Sequence, residues 1–304
     1  MVKQIRKGVG EGILEAGKKS KNVVVLTADL MASTAVGPFA KKYPDRFFQV
    51  GICEQNMMSA AAGMAHVGKI PFVNSFAAFS PGRNWDQLRV SVCLSNLNVK
   101  IHGSHTGLSV GEDGASAQAL EDIAITRVLP NLVVLVPADF NQAKQAAITA
   151  AKYKGSVYIR SSRSGTPDVT NADEEFVIGK AKVIRRGTDV TLIACGLEVY
   201  ESLLAAEALK AKGISAEVIN CPTIKPLDTQ TILRSVKKTG SVVTAEEHQI
   251  NGGLGSAVAE LLVKHHPVTQ EFVAVQDSFG ESGKPDELFK KYKIDKRAII
   301  RAAA

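Results

Sequence analysis

Cysteine is scarce in this 304-residue sequence, and the few residues present do not cluster. Cys53, Cys93, Cys195 and Cys221 lie far apart, with no C-x-x-C pair and no histidine at ligand spacing. That spacing argues against a zinc site or a disulfide framework and for buried free thiols in a reducing compartment. No stretch approaches about 20 uninterrupted apolar residues, so no membrane span is expected. The opening, MVKQIRKGVGEGILEAGKKS, has no apolar run of signal-peptide length, and a soluble cytoplasmic protein is the expectation. Blocks of one charge sign are also missing. Lys and Arg exceed Asp and Glu by 37 − 30 = 7, yet the densest basic clusters are pairs such as Arg185-Arg186 and Lys290-Lys291. Few aromatics are interleaved with them, so nucleic-acid binding is not expected. A phosphorylated small substrate suits the mildly basic balance equally well.

What is present is an ordinary globular composition, 45% hydrophobic and 22% charged, at a length that suggests two domains. Short β-rich runs alternate with helical segments. In the first half the strand candidates are Asn22–Ala28, Arg46–Val50, Pro71–Asn74, Val99–His102, Leu132–Pro137 and Ser156–Ile159. Several are continuously apolar, as strands covered on both faces of a parallel sheet must be. Lys7–Lys19, Glu54–His66, Asn84–Cys93 and Phe140–Tyr153 read as helices between them. A polar stretch follows, Arg160–Glu175, whose Ser, Thr, Gly, Asp and Pro mark a linker. The alternation then restarts with strands at Val190–Ala194, Ala216–Ile219, Val242–Ala245 and Phe272–Val275. Helices are expected at Val199–Ala211, Thr229–Lys237 and Ser256–Val263. The predicted fold is α/β, two doubly wound domains over residues 1–165 and 179–304 joined by a linker at 166–178.

Three segments carry the candidate chemistry. In Gln49–Met57 (QVGICEQNM) a strand runs into a helix with Glu54 at the junction, either a simple partner for the helix dipole or a functional carboxylate. Gly103–Gln118 (GSHTGLSVGEDGASAQ) is a glycine-rich loop too long for a turn. Its small residues allow close backbone approach to a ligand, with His105 and Asp113 as polar contacts. It matches neither a P-loop nor a dinucleotide fingerprint. Asn74–Arg83 (NSFAAFSPGR) places Phe76 and Phe79 just past a strand, as core packing or as a platform for a ring. A further glycine-rich segment, Asn251–Ala259 (NGGLGSAVA), could offer a helix N-terminus to phosphate but is read as structural.

In order and content these segments resemble the pyrimidine-binding domain of the transketolase family. QIRKGVGEGILEAG and VVLTADLMAST are similar to that domain's opening, GICEQNM to its catalytic-glutamate motif, and SHTGLSVGEDGASAQALEDIAITRVLPNLVVLVPAD to its most recognisable block. TAEEHQINGGLGSAVAEL and FGESGKPDELFKKY resemble the family's C-terminal domain. Deoxyxylulose-phosphate synthases and the β chains of 2-oxo-acid dehydrogenases share the fold, but GEDGASAQALEDIA followed by ESGKP is closer to transketolase.

The resemblance implies thiamine diphosphate as cofactor, with Glu54 hydrogen-bonded to N1′ of its aminopyrimidine, Phe76 and Phe79 around that ring, and Asp29 close by. It implies a sugar-phosphate substrate contacted by Arg6, Ser33, His105, Asp113 and Arg163, with His105 also facing the reaction. Arginine suits phosphate because its planar fork donates two parallel hydrogen bonds. No metal site is expected here. The family's Gly-Asp-Gly…Asn motif for Mg²⁺ and the diphosphate does not occur, since Gly111–Gly114 reads GEDG with no following Asp–Asn pair. The chain therefore resembles the C-terminal subunit of a split transketolase. An N-terminal partner would supply Mg²⁺ and the diphosphate site, with α2β2 the expected assembly. One departure stands out: the family's loop usually carries histidine where this sequence has Ala117. The amide of Gln118 or Asn56 could substitute, the donor sugar could differ, or the chain could be a non-catalytic paralogue.

Overall fold

The computed structural model describes residues 2–304. In chain order, β1 (Val2–Gln4) leads into α1 (Ile5–Lys19), then β2 (Val23–Thr27), α2 (Gly37–Lys42), β3 (Phe47–Gln49) and α3 (Glu54–His66). Next come β4 (Ile70–Phe76), α4 (Trp85–Gln87), β5 (Lys100–Ser104), α5 (Asp122–Arg127), β6 (Leu132–Leu135), α6 (Phe140–Lys152), β7 (Ser156–Ser161) and β8 (Gly165–Pro167). The second half contains β9 (Lys182–Arg185), β10 (Val190–Ala194), α7 (Glu198–Lys210), β11 (Ala216–Asn220), β12 (Thr223–Lys225) and α8 (Thr229–Thr239). It closes with β13 (Val242–Gln249), α9 (Leu254–His265), β14 (Gln270–Val275), α10 (Pro285–Lys291) and α11 (Lys296–Ala303).

Two α/β layers result. The larger sheet has the order β12-β6-β7-β5-β4-β2-β3 and the smaller β14-β13-β10-β11-β9. Within each, the central strands are parallel and fully buried, as their unbroken Val, Leu and Ile runs require. The order of connection reverses at β2, next to the edge strand β3 of the larger sheet, and at β10, the middle strand of the smaller one. Crevices outside the carboxyl ends of strands at such points are where open α/β sheets bind ligands.

Helix α1 shows how the first layer is closed. Ile5, Val9, Ile13 and Ala16 recur on one face and are buried against α6, which offers Ala143, Ala146, Ala147 and Ala150. Gly8 and Gly12 let the two helices approach until a Cβ at either would overlap α6 carbonyls.

Several features depart from the sequence reading. The helix expected over Asn84–Cys93 is α-helical only to Gln87 and continues as π-helix over Leu88–Leu94. The polar stretch starting at Arg160 is not all linker. Arg160 and Ser161 complete β7 and are buried, and Gly165–Pro167 form β8, which pairs antiparallel with β1. Short β12 crosses over to the larger sheet, and β9 is an antiparallel edge strand of the smaller one. The connection between the layers is pinned down. Buried Asp139 caps α6 through Gln142 N–H (2.8 Å) and also accepts Val169 N–H and Thr170 N–H, both at 2.7 Å. Cys93, Cys195 and Cys221 are buried free thiols, but Cys53 is exposed because it sits in the turn that starts α3. Among the described residues, no helix is long and apolar enough to cross a membrane.

Candidate active site

The carboxyl edge of the larger sheet gathers the candidate residues. Asp29 and Ser33 follow β2, Glu54 follows β3, Phe76 ends β4, His105 follows β5 and Arg163 follows β7.

Glu54 opens α3 but does not act as its cap. Its side chain is 1% exposed and turns inward, where Oε2 accepts from Arg83 Nη1 at 2.8 Å. Oε1 is buried with no hydrogen-bond partner. A buried carboxylate oxygen left in this way is costly unless something else donates to it. The Arg83 guanidinium lies over the Phe79 ring (4.8 Å), Phe79 is stacked near Phe76 (centroids 5.9 Å, 17°), and Phe76 stacks on His105 (3.7 Å, 22°). Glu54, Arg83, Phe79, Phe76 and His105 thus form one continuous line of contacts. Asn84 braces it, donating Nδ2–H to Glu54 O (3.1 Å) and to Ser80 Oγ (3.1 Å).

His105 is held in the left-handed region at φ 55°, a conformation that costs about 1 kcal/mol and presses its ring onto Phe76. Its Nδ1 lies 3.0 Å from Ser104 Oγ. Burial, reinforced by Arg6, Arg163 and His102, pushes its pKa down to about 3, so the imidazole is neutral at physiological pH. Beneath it, fully buried His102 bridges Asn74 Oδ1 (3.0 Å) and Ser161 Oγ (2.8 Å). Asn74 spends its amide hydrogens on Leu26 O and Phe72 O, which leaves its oxygen as acceptor and fixes the proton of His102 on Nδ1. Burial, then Arg6, holds His102 at about 3 as well.

The cationic side of the site comes from distant sequence. Pairing of β1 with β8 aligns Gln4 with Gly165 and brings Arg6 near Arg163. Arg6 donates to Ser33 O and to Gln4 Oε1 (3.1 Å), while its buried Nε has no partner. Burial and then Arg163 lower its pKa, the mark of a cation short of counter-charge. Arg163 donates to Val110 O (2.7 Å) and to Asp113 Oδ1 (3.3 Å), so these two predicted substrate residues meet each other. Ser33 presents its carbonyl, not its hydroxyl, to Arg6. Asp29 is exposed with φ 58°, its N–H bonded to Gln49 Oε1 at 2.6 Å, and no side-chain contact joins it to Glu54.

Ala117 is buried, and of the two groups considered in place of a histidine there, only the Nε2 side of the Gln118 amide is engaged, its Oε1 being buried without a partner. Gln118 donates Nε2–H to Glu281 O (2.9 Å) and Gly111 O (3.2 Å), and Asn56 is on the exposed face of α3. The sequence reading missed Arg83, although it lies within the Asn74–Arg83 segment and a buried carboxylate at Glu54 calls for a nearby cation. It also missed His102, which alternation along β5 alone could not distinguish from a core residue. Among the described residues, no three His, Cys, Asp or Glu side chains gather as a metal site. The helix start within Asn251–Ala259 is filled internally: Glu246 accepts Leu254 N–H (2.7 Å) and Gly255 N–H (2.8 Å). That supports the structural reading of this segment.

Comparison with known proteins follows the same division. Residues 2–168 match the family model for the transketolase pyrimidine binding domain, and residues 179–299 that for the transketolase C-terminal domain. A putative transketolase C-terminal section from Methanocaldococcus jannaschii is 48% identical over 302 residues, covering 98% of this chain and 95% of the relative. A 6-deoxy-6-sulfo-D-fructose transketolase subunit from a Clostridium species is 44% identical, covering 96% and 90%. A solved structure described as a split gene transketolase, inactive beta4 tetramer, superposes with a TM-score of 0.93 at 45% identity, over 99% of this chain and 97% of that one. The chain belongs to the transketolase family, as a C-terminal section made of its pyrimidine-binding and C-terminal domains.

Proposed function

We propose that this chain is the pyrimidine-binding subunit of a cytoplasmic, thiamine-diphosphate-dependent split transketolase, moving a two-carbon ketol unit from a ketose phosphate to an aldose phosphate. The observation that carries the reading is the unpartnered, buried Oε1 of Glu54 beside the Phe76–Phe79 pair. An aminopyrimidine fits both features, since a ring nitrogen can share a proton with the carboxyl while the phenylalanine faces cover the ring. When bound, thiamine diphosphate supplies the nucleophilic carbon for ketol transfer. Glu54 would hold the proton at the ring nitrogen, with Arg83 fixing the carboxyl's orientation through Oε2. Neutral His105 can donate one hydrogen bond and accept another at the substrate. Arg6, short of counter-charge, and Arg163 suit the sugar phosphate, and Asp113 a sugar hydroxyl. Ser33 and Asp29 would line the same crevice.

Mg²⁺ and the diphosphate are assigned to an N-terminal subunit, because this sequence has no Gly-Asp-Gly…Asn motif. An α2β2 assembly is the proposed arrangement of the two chains. The matched structure, by its own description a beta chain inactive as a tetramer, supports dependence on a partner. A second reading, a specialised sugar transketolase, is favoured by Ala117 and by the name of the Clostridium relative.

Calorimetric titration of thiamine diphosphate with Mg²⁺ into this chain, its partner and the reconstituted pair tests the assignment. Tight binding is expected only in the pair, weakened by Phe79→Ala. Equal affinity for this chain alone would contradict the division of labour.

A further inference from the structure

The C-terminal domain does more than pack beside the site. The glycine-rich loop that carries Asp113 and follows His105 rests on it. Glu247, on β13, is 2% exposed and accepts the Ser109 N–H through Oε1. It reaches that amide because Gly107, at φ 76°, has no side chain; a Cβ there would overlap the Glu247 carboxylate. The main-chain oxygen of Glu247 accepts from Arg160 Nη2 at 2.8 Å, and Arg160 is tied to Asp122 at 2.9 Å, so the carboxylate stands on a rigid base. From the other side, Ser164 Oγ donates to Ser109 O (2.9 Å) and Arg163 to Val110 O (2.7 Å). Ser109 and Val110 are therefore clamped between one carboxylate of the C-terminal domain and the segment that carries Arg163.

We propose that Glu247 is a positioning residue for sugar-phosphate binding: by holding the Ser109 amide, it fixes the loop that orients Asp113 and, through Val110, the Arg163 guanidinium. This rests on the transketolase reading of the site. Glu247 lies behind the loop, in the other domain, bonded through its side chain to Ser109 and through its main-chain oxygen to Arg160. Its loss should therefore affect substrate affinity and leave the bond-making step largely intact. A buried N–H left without its acceptor is costly, so removing Glu247 should weaken phosphorylated-substrate binding on the order of tenfold. Glu247→Gln keeps an oxygen at the same reach and should recover much of the loss.

Two measurements test this on Glu247→Ala and Glu247→Gln. The first is hydrogen–deuterium exchange of the chain alone. The prediction is faster exchange over residues 106–114 in Glu247→Ala, a smaller increase in Glu247→Gln, and unchanged exchange in β2 and β4. The second is steady-state kinetics of the pair with xylulose 5-phosphate and ribose 5-phosphate, where KM should rise about tenfold in Glu247→Ala with kcat changed less than about threefold. Unchanged loop exchange overturns the proposal. So does a fall in kcat at constant KM, or a Glu247→Gln variant as impaired as Glu247→Ala. If the wild-type pair transfers nothing from these sugars, the transketolase reading fails, and the exchange measurement still decides whether Glu247 holds the loop.

Discussion

The two α/β layers are built alike, yet their carboxyl edges are finished differently. At the larger sheet, Glu54 Oε1, Arg6 Nε and the hydroxyls of Thr27, Ser75 and Thr106 are buried without partners. At the smaller sheet, Glu246 fills the start of α9 and Glu247 is used on the neighbouring domain's loop. The exceptions there are the amide oxygens of Asn220 and Gln249, Ser202 Oγ, and Glu198 at the start of α7. Glu198 is fully buried with both oxygens unpartnered, and burial pushes its pKa well above the usual carboxylate range, so it is held neutral. A shared architecture does not imply a shared site. The open edge carries cations, aromatic faces and a carboxyl with one oxygen left free, whereas the closed edge spends Glu246 and Glu247 on the protein itself.

Substitutions at the two edges should therefore part company. Glu54→Gln should lower ketol transfer of the reconstituted pair by about 10²–10⁴-fold, the usual scale for a lost proton-handling group, with little change in melting temperature. Activity within tenfold of wild type would remove Glu54 from the mechanism. Arg160→Met strands Asp122 and should cost about 3–5 kcal/mol of stability in urea unfolding, because it leaves an unpaired buried charge. At the closed edge, Glu246→Ala uncaps α9 and should cost about 2 kcal/mol by the same method, with cofactor affinity of the pair unchanged.

Acid sensitivity sharpens the contrast. His102 and His105 titrate near 3 in the fold, against an ordinary value of 6.5. Between those values the unfolded chain binds more protons, so the stability they contribute is complete above about pH 6.5 and is lost as pH falls toward 3. His102→Gln should flatten that slope in thermal melts between pH 6.5 and 4, by on the order of 1–3 kcal/mol. Glu198 has the opposite sign. Its raised pKa makes the fold prefer the protonated form, so its contribution is complete below the ordinary carboxylate value and declines as pH rises. Glu198→Gln should therefore be nearly neutral at pH 5, within about 0.5 kcal/mol, and should lessen the loss of stability at alkaline pH.

Much of this was legible in the sequence because long, strongly patterned segments fold where their periodicity says. Glu54–His66 is a helix over those residues, and the strands at Val190–Ala194 and Ala216–Asn220 follow their apolar runs. Other features depend on long-range contacts that no local pattern records. β1 and β8 are three residues each, yet their pairing brings Arg6 to Arg163. β12 joins a sheet formed mainly by the other half of the chain. The site's residue types could be read from motifs, but not that Asp113 and Arg163 engage each other, that Arg83 holds Glu54, or that Gln118 is committed to the Glu281 carbonyl. Those depend on tertiary geometry.

The most direct test of the central claim is a coupled ketol-transfer assay with xylulose 5-phosphate, ribose 5-phosphate, thiamine diphosphate and Mg²⁺. It would compare this chain alone, its N-terminal partner alone, and the two together. Transfer by the pair and by neither chain singly is the predicted result. Transfer by this chain alone, or a cofactor-loaded pair that transfers nothing from any ketose phosphate, would contradict the account.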